Sequence, residues 1–373
     1  MFKFYEFFAG GGMARAGLGE DWECVFANDF SELKAKSYRT NWGGHELMVE
    51  DINKLSSDVL PPDQVELAWA SFPCQDLSLA GNGAGLQGNR SGSFWGFWKL
   101  IQDLNLQSRK PAIIILENVY GTLTSHGGKD FESIARSVVA EGYVFGAMVV
   151  DAVQFVPQSR PRVFIVCVDE KLTVPAKLLS SRPTPSWHPE KLIGAYNALS
   201  EEIKSKWCWW QMPELGAPLS TLDDIIEHEP NGVKWNTQED TDRIISLMVP
   251  LHRQKVFAAQ QAGRLKVGTI YRRTRGINQR AEVRFDGIAG CLRTPSGGSS
   301  RQTVMIVDGS TIRTRLISPR EAARLMGLPE NYILPDKYND AYHLLGDGVV
   351  VPVVAHINQN ILLPLLKAQL SVA

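Results

Sequence analysis

Five short segments hold residues whose types and spacing suit chemistry. Phe7-Phe8-Ala9-Gly10-Gly11-Gly12 ends an apolar run and opens a helix-like one. Glycines there let the backbone approach a bound molecule, with helix N-terminal N–H groups pointing at it. Asp29 follows at the end of the next strand-like run, where a carboxylate can accept hydrogen bonds from a ribose diol and Phe30 can lie against an adenine. The dinucleotide pattern G-x-G-x-x-G fails because Arg15 occupies its last glycine position. A nucleoside cofactor is favoured over a plain glycine-rich turn, and which one stays open. Ser71-Phe72-Pro73-Cys74-Gln75 sits just past a strand-like run. Active sites collect at the carboxyl ends of parallel strands, and a thiol there is a candidate nucleophile, with inert buried cysteine as the alternative. Gly81, Gly83, Gly85, Gly88 and Gly92 then punctuate a polar loop carrying Arg90, the composition of a mobile lid. Glu117 stands at the mouth of an apolar run, so lost hydration should raise its pKa and suit it to act as an acid; a surface or capping carboxylate is the other reading. Arg160 and Arg162, at alternate positions, would project to one face if extended. They could hold phosphate, or stabilise a thiolate and a carboxylate, or form a solvated charge pair.

These residues need a scaffold, and the pattern supplies one. Strand-like Phe2–Phe8, Glu23–Asn28, Val65–Ser71, Ala112–Leu116, Tyr143–Val150 and Val163–Val168 alternate with helix-like stretches from Met13, over Ser31–Thr40 and over Phe131–Glu141. That alternation predicts stacked βαβ units: an α/β, Rossmann-like doubly wound, mostly parallel sheet. Pro- and Ser-rich linker chemistry at Ser180–Ser186 ends the rhythm, and a smaller irregular domain is expected beyond it. Helix-like segments return at Ser318–Gly327 and Val350–Leu366. The 373 residues are ample for a real core, and 44% hydrophobic with 21% charged excludes a disordered chain. Five scattered cysteines without a Cys-x-x-Cys pair argue against a disulfide framework or a structural zinc, and no metal is expected. No membrane span or signal peptide is expected, and the chain reads as cytoplasmic. The formal net charge of −1 conceals a polarity: the window His252–Arg301 holds eleven Lys and Arg against Glu282 and Asp286. Trp207, Trp209 and Trp210 suit a small core better than base stacking.

Taken together, the segments resemble the S-adenosylmethionine-dependent cytosine-5 DNA methyltransferases of prokaryotic or phage type, in that family's order at both ends of the chain. Phe8-Ala9-Gly10-Gly11-Gly12 is similar to its cofactor loop, Asp29 and Phe30 to its ribose and adenine contacts, and Asp51-Ile52 to its adenine-edge contact. Pro73-Cys74-Gln75 resembles its nucleophile motif, Glu117-Asn118-Val119 its acid motif and Gln158-x-Arg160-x-Arg162 its arginine motif. Arg315–Leu328 resembles the helical segment beside its recognition domain, and Gly346–Pro352 its last motif. There are departures. Met13 stands at a usual glycine, Asp347-Gly348 at a usual Asn-Ser, and Phe155-Val156 where Tyr-Gly often precedes the arginines.

The resemblance implies a catalytic and cofactor domain of residues 1–182 plus 336–373, with a target-recognition domain at 183–335. It implies that Cys74 adds to carbon 6 of a flipped cytosine while Glu117 serves ring nitrogen 3, and that carbon 5 then takes the methyl group. Arg162 would orient the base carbonyl, and Arg160 would help hold Glu117 or phosphate. The cofactor set also takes in Pro73, Asp347 and Val349. Gln75, Ser78, Arg90, Arg272, Arg273 and Arg275 would contact double-stranded DNA, since basic side chains neutralise phosphates and base-edge contacts specify. A monomer is expected, with a cognate restriction endonuclease as a possible partner. The alternatives are a tRNA cytosine-5 methyltransferase, a nicotinamide-dependent oxidoreductase, which would need the missing third glycine, and a catalytically dead DNA-binding protein. Phe72, where the tRNA enzymes tend to have a second proline, disfavours the first.

Overall fold

The computed structural model describes residues 1–73, 92–216, 220–275, 278–294 and 301–370. Cys74, Gln75, Ser78 and Arg90 therefore lie outside the described residues. Contacts divide the chain into two compact units: residues 1–150, 161–214 and 353–373, and residues 151–160 and 215–352.

The first unit is built on a seven-stranded sheet in the order β3-β2-β1-β4-β5-β7-β6. Its strands are β1 (Phe2–Phe7), β2 (Trp22–Asp29), β3 (Leu47–Val49), β4 (Leu67–Ser71), β5 (Ile113–Val119), β6 (Tyr143–Asp151) and β7 (Pro161–Asp169). β1 runs parallel to both β2 and β4, and β5 runs parallel to β4. Strands this apolar must be covered on both faces, as expected of a parallel sheet. Helices α1 (Met13–Leu18), α2 (Glu32–Trp42), α3 (Ser93–Leu106) and α4 (Lys129–Ala140) accompany them. α3 is an element that the strand-and-helix reading passed over. Phe94, Phe97, Trp98, Ile101 and Leu104 recur at helical spacing and are buried in the sheet's main apolar cluster. Each large side chain so buried contributes roughly 1.5–3 kcal/mol.

β7 departs from pure parallel stacking by pairing antiparallel with β5. The link from β6 to β7, residues 152–160, is shorter than the dozen or more residues that a parallel crossover needs. Linker chemistry at Ser180–Ser186 does not mark the division of contacts, because residues 183–214 pack with the first unit. Trp207 lies 5.1 Å from Phe145 and 6.2 Å from Phe131, ring to ring, so the tryptophan-rich stretch is core. Its short strands β8 (Leu179–Ser180) and β9 (Trp209–Trp210) pair antiparallel. Residues 351–370 are helical, and Val354, Ile357, Ile361, Leu362 and Leu365 are buried, which accounts for their apolarity.

The second unit carries an antiparallel sheet ordered β11-β10-β12-β13. These strands are β10 (Lys266–Arg275), β11 (Asn278–Arg284), β12 (Thr303–Asp308) and β13 (Thr311–Leu316). Ile270, Val283, Met305 and Val307 form its core with Met248 and with Val256 of the helix Pro250–Gln261. Helix Pro319–Leu325 is fixed by a capping box in which Ser318 and Glu321 exchange hydrogen bonds, with Pro319 at the position where a missing N–H costs nothing. Glu321 is itself fully buried and takes both terminal nitrogens of buried Arg315 at 2.6 and 2.7 Å.

Candidate active site

The strand order reverses at β1, whose neighbours are β2 on one side and β4 on the other. Crevices open outside the carboxyl ends of strands at such a switch point. β1 delivers Phe8–Gly12 there, and β4 ends two residues before Pro73. Phe8, Gly10 and Gly12 all take positive φ, of 58°, 57° and 76°, so the turn is left-handed at alternate residues. A side chain at Gly10 would meet nothing within 4 Å, which leaves an open face above the backbone. Asp29 closes β2 and is 4% exposed; it accepts the Gly10 N–H at 2.9 Å and the Ser31 N–H at 2.9 Å. The next residue, Phe30, is 71% exposed, a large apolar ring left in solvent beside a buried carboxylate. Asp51 caps the short turn Ile52–Lys54, with Ile52 buried beneath it. An open glycine turn, a rim carboxylate and an unused aromatic face fit a nucleoside with a charged tail. The sulfonium of an adenosyl-methionine conjugate meets that description.

Glu6, under the turn, was not among the candidates. It is buried and accepts the Arg15 N–H at 3.3 Å, so it caps α1, whose own N-cap residue Gly12 has no side chain to do so. Burial pushes its carboxyl up to about 8. An acid set between aromatic residues at the buried end of the strand FKFYEF is the available signal.

The register pairs Ser71 with Glu117, so β5 brings its carboxylate level with the end of β4. Glu117 is 7% exposed, and Arg162 Nε lies 3.2 Å from its Oε1. In β7 the residue opposite Glu117 is Phe164, so Arg162 is the diagonal neighbour two residues along. Asn118 supplies a second tie. Its Nδ2 donates to the Phe72 carbonyl at 3.1 Å, and its Oδ1 accepts from Thr122 and from the Val119 N–H. The backbone leading into Pro73 and Cys74 is thereby fastened to the acid's own strand.

The two arginines do not share a task. Arg162 lies in β7, whereas Arg160 precedes it and belongs to the second unit by its contacts. The Asp151 carboxylate takes the Arg160 N–H, and the guanidinium, 2% exposed, donates to the carbonyls of Leu292, Gly346 and Gly348 at 2.7–2.8 Å. Glu117 is met by Arg162, while these contacts of Arg160 go to the backbone of its own unit. The same-face argument assumed an extended segment, and the strand begins only at Pro161. Asp347 accepts from the Thr294 hydroxyl, and Val349 is buried.

Among the described cysteines none is set up as a nucleophile. Burial pushes the Cys24 and Cys167 thiols well up, and that of Cys208 to about 11. The Cys291 sulfur lies 3.3 Å from both Arg160 Nη1 and the Leu292 carbonyl.

On the second unit, Arg272 and Arg273 sit in β10, which Arg275 closes. Arg273 lies 3.5 Å from Glu282 and 5.1 Å from the Tyr271 ring, half-exposed.

Comparison with known proteins agrees with this arrangement. The family model for C-5 cytosine-specific DNA methylases matches residues 2–363. The Type II methyltransferase M.HhaI of Haemophilus parahaemolyticus is 24% identical over 363 residues, 96% of this chain and 94% of that one. M.HpaII of Haemophilus parainfluenzae is 26% identical over 369 residues, 97% and 89% of the two chains. Among solved structures, S. pombe Dnmt2 methyltransferase shares the fold with a TM-score of 0.58 at 18% identity, covering 98% of this chain and 99% of that one. A Spodoptera frugiperda DNMT2 mutant gives 0.60 at 19%, covering 96% and 99%. The chain belongs to the C-5 cytosine-specific DNA methylase family and is an S-adenosylmethionine-dependent DNA (cytosine-5)-methyltransferase.

Proposed function

We propose that Cys74 is the nucleophile, Glu117 the acid and Arg162 the group that holds Glu117 and the base carbonyl. The observation that carries this is the register of β4 and β5, which sets the strand leading to Cys74 beside Glu117 and its guanidinium partner. Carbon 5 of cytosine is a poor nucleophile. A thiolate adding to carbon 6, while Glu117 gives a proton or hydrogen bond to ring nitrogen 3, makes carbon 5 electron-rich. When bound, S-adenosylmethionine supplies the methyl group as an electrophile. Loss of the carbon-5 proton and expulsion of the Cys74 thiolate then restore the aromatic ring. The base must leave the duplex stack first, at a cost of a few kcal/mol. Phe8–Gly12, Asp29, Phe30, Asp51, Ile52 and Pro73 hold the cofactor, with Asp347 and Val349 from the last motif. Arg160 serves as a tether of the backbone around Gly346–Gly348.

Residues 183–335 recognise the target. Arg272, Arg273 and Arg275 grip DNA there, and Gln75, Ser78 and Arg90 do so from the segment after β4. The protein acts as a monomer on a specific duplex sequence in the cytoplasm, as the modifying half of a restriction–modification pair. Bisulfite sequencing of DNA from a host expressing the chain tests this. Protected cytosines in one sequence context are expected, and Cys74→Ser should erase them while leaving cofactor binding unchanged. Methylation retained by that variant would remove Cys74 from the mechanism.

A further inference from the structure

Arg15, which breaks the dinucleotide pattern, has its own place in the fold. Its guanidinium lies 4.9 Å from the centre of the Trp42 ring and 5.8 Å from that of Tyr38. One terminal nitrogen donates to the Tyr38 hydroxyl at 3.0 Å and pairs with the Glu46 carboxylate, whose side chain is 5% exposed. Tyr38 donates to the same carboxylate oxygen at 3.1 Å. Trp42, the last residue of α2, in turn donates from Nε1 to the Gly11 carbonyl at 2.9 Å. Its indole also lies hard against Gly12, where any Cβ would collide with it. A chain of contacts thus runs from Glu46 through Arg15 to Trp42 and ends on the backbone of the glycine turn. The turn's opposite side is tied by Gly10 to Asp29. An indole stacked under a guanidinium loses the freedom to swing away, so the Nε1 donor is held where the carbonyl needs it.

We propose that Trp42, braced by Arg15 and Glu46, is a positioning residue for the glycine-rich turn and thereby sets this chain's affinity for S-adenosylmethionine. The inference rests on the reading that this turn holds the cofactor. Trp42→Phe keeps an aromatic ring at this position and removes the N–H together with part of the indole's bulk. Calorimetric titration with S-adenosylhomocysteine, which cannot react, should show its Kd rising about fivefold, the worth of one ordinary hydrogen bond. The KM for S-adenosylmethionine should rise in step, with kcat at saturating cofactor and the KM for DNA unchanged. Arg15→Lys keeps a charge for Glu46 and loses the planar stack; about a twofold rise is expected. The double variant should bind no more weakly than Trp42→Phe alone, because both act through one contact. A lower melting temperature with the parental Kd would make Trp42 a framework residue and overturn the proposal, and fully additive losses would overturn the brace. Phe30→Ala, at an exposed position on the same rim, tests the underlying reading separately. If Phe30→Ala weakens binding and Trp42→Phe does not, the inference fails and the reading stands. If neither weakens it, the reading itself fails.

Discussion

The two units bury charge for different ends. In the first, Glu117 and Arg162 meet near the ends of strands, 3.2 Å apart, each with a little exposure. In the second, Arg315 and Glu321 meet in full burial, joined by two hydrogen bonds. Arg315 also donates to the Glu227 carbonyl, and Glu321 accepts from the N–H groups of Ser318 and Glu227. A fully buried pair tied to its surroundings by several further hydrogen bonds fixes a shape, whereas a pair with some exposure keeps part of its hydrogen-bonding capacity.

That contrast can be broken by exchange of effects. Glu117→Gln removes a proton donor and should lower kcat by about 10²–10⁴-fold, with the melting temperature near the parent's. Single-turnover methylation and a thermal melt, run on one preparation, check both halves. Arg315→Met should do the reverse. Glu321 is left buried without its cation, which costs about 3–5 kcal/mol of stability by chemical denaturation, while kcat at a temperature where the variant is folded stays put. Equal losses of activity and stability in both variants would erase the distinction.

A smaller effect belongs to Glu6. Its folded pKa, about 8, is raised above the ordinary carboxyl value by burial. The folded state therefore binds a proton that the unfolded chain releases at lower pH. Stability from this group is fully present below the unfolded value and is lost as pH rises through about 8. Denaturation midpoints should fall between about pH 5 and 8, and Glu6→Gln should flatten that slope. An unchanged slope would show that Glu6 does not carry it. Smallest of all is Arg273→Ala. Losing one half-exposed cation should weaken DNA binding a few-fold and lower the salt slope by about one, as for a single phosphate contact. A change of methylated sequence instead would make Arg273 a base reader.

Much of the first unit was legible because its periodicity and its site share a cause. Parallel strands buried on both faces must be continuously apolar, so Ile113–Leu116 announces both a strand and the carboxylate placed at its mouth. The glycine turn, Asp29 and Glu117 follow from ends of strands, and strand ends are visible as changes of composition. The helix α3 was missed although its spacing is regular, because the glycine-rich stretch before it drew the reading toward a loop. Trp210 is buried and Trp207 and Trp209 half-buried, all with the first unit by contacts, and composition does not say so, since a linker signal reports local chain chemistry and not contacts.

By itself, then, the sequence determined the identities that the chemistry needs and the order in which strands present them: a glycine turn, a carboxylate after β2, a thiol after β4 and a second carboxylate ending β5. Only the tertiary structure decided their partners. Arg162 reaches Glu117, because β7 starts at Pro161 and pairs antiparallel with β5, and Arg15 reaches Trp42 across helices. Partners of this kind are set by strand register and by side-chain reach between elements distant in the chain. Local spacing carries no information about either.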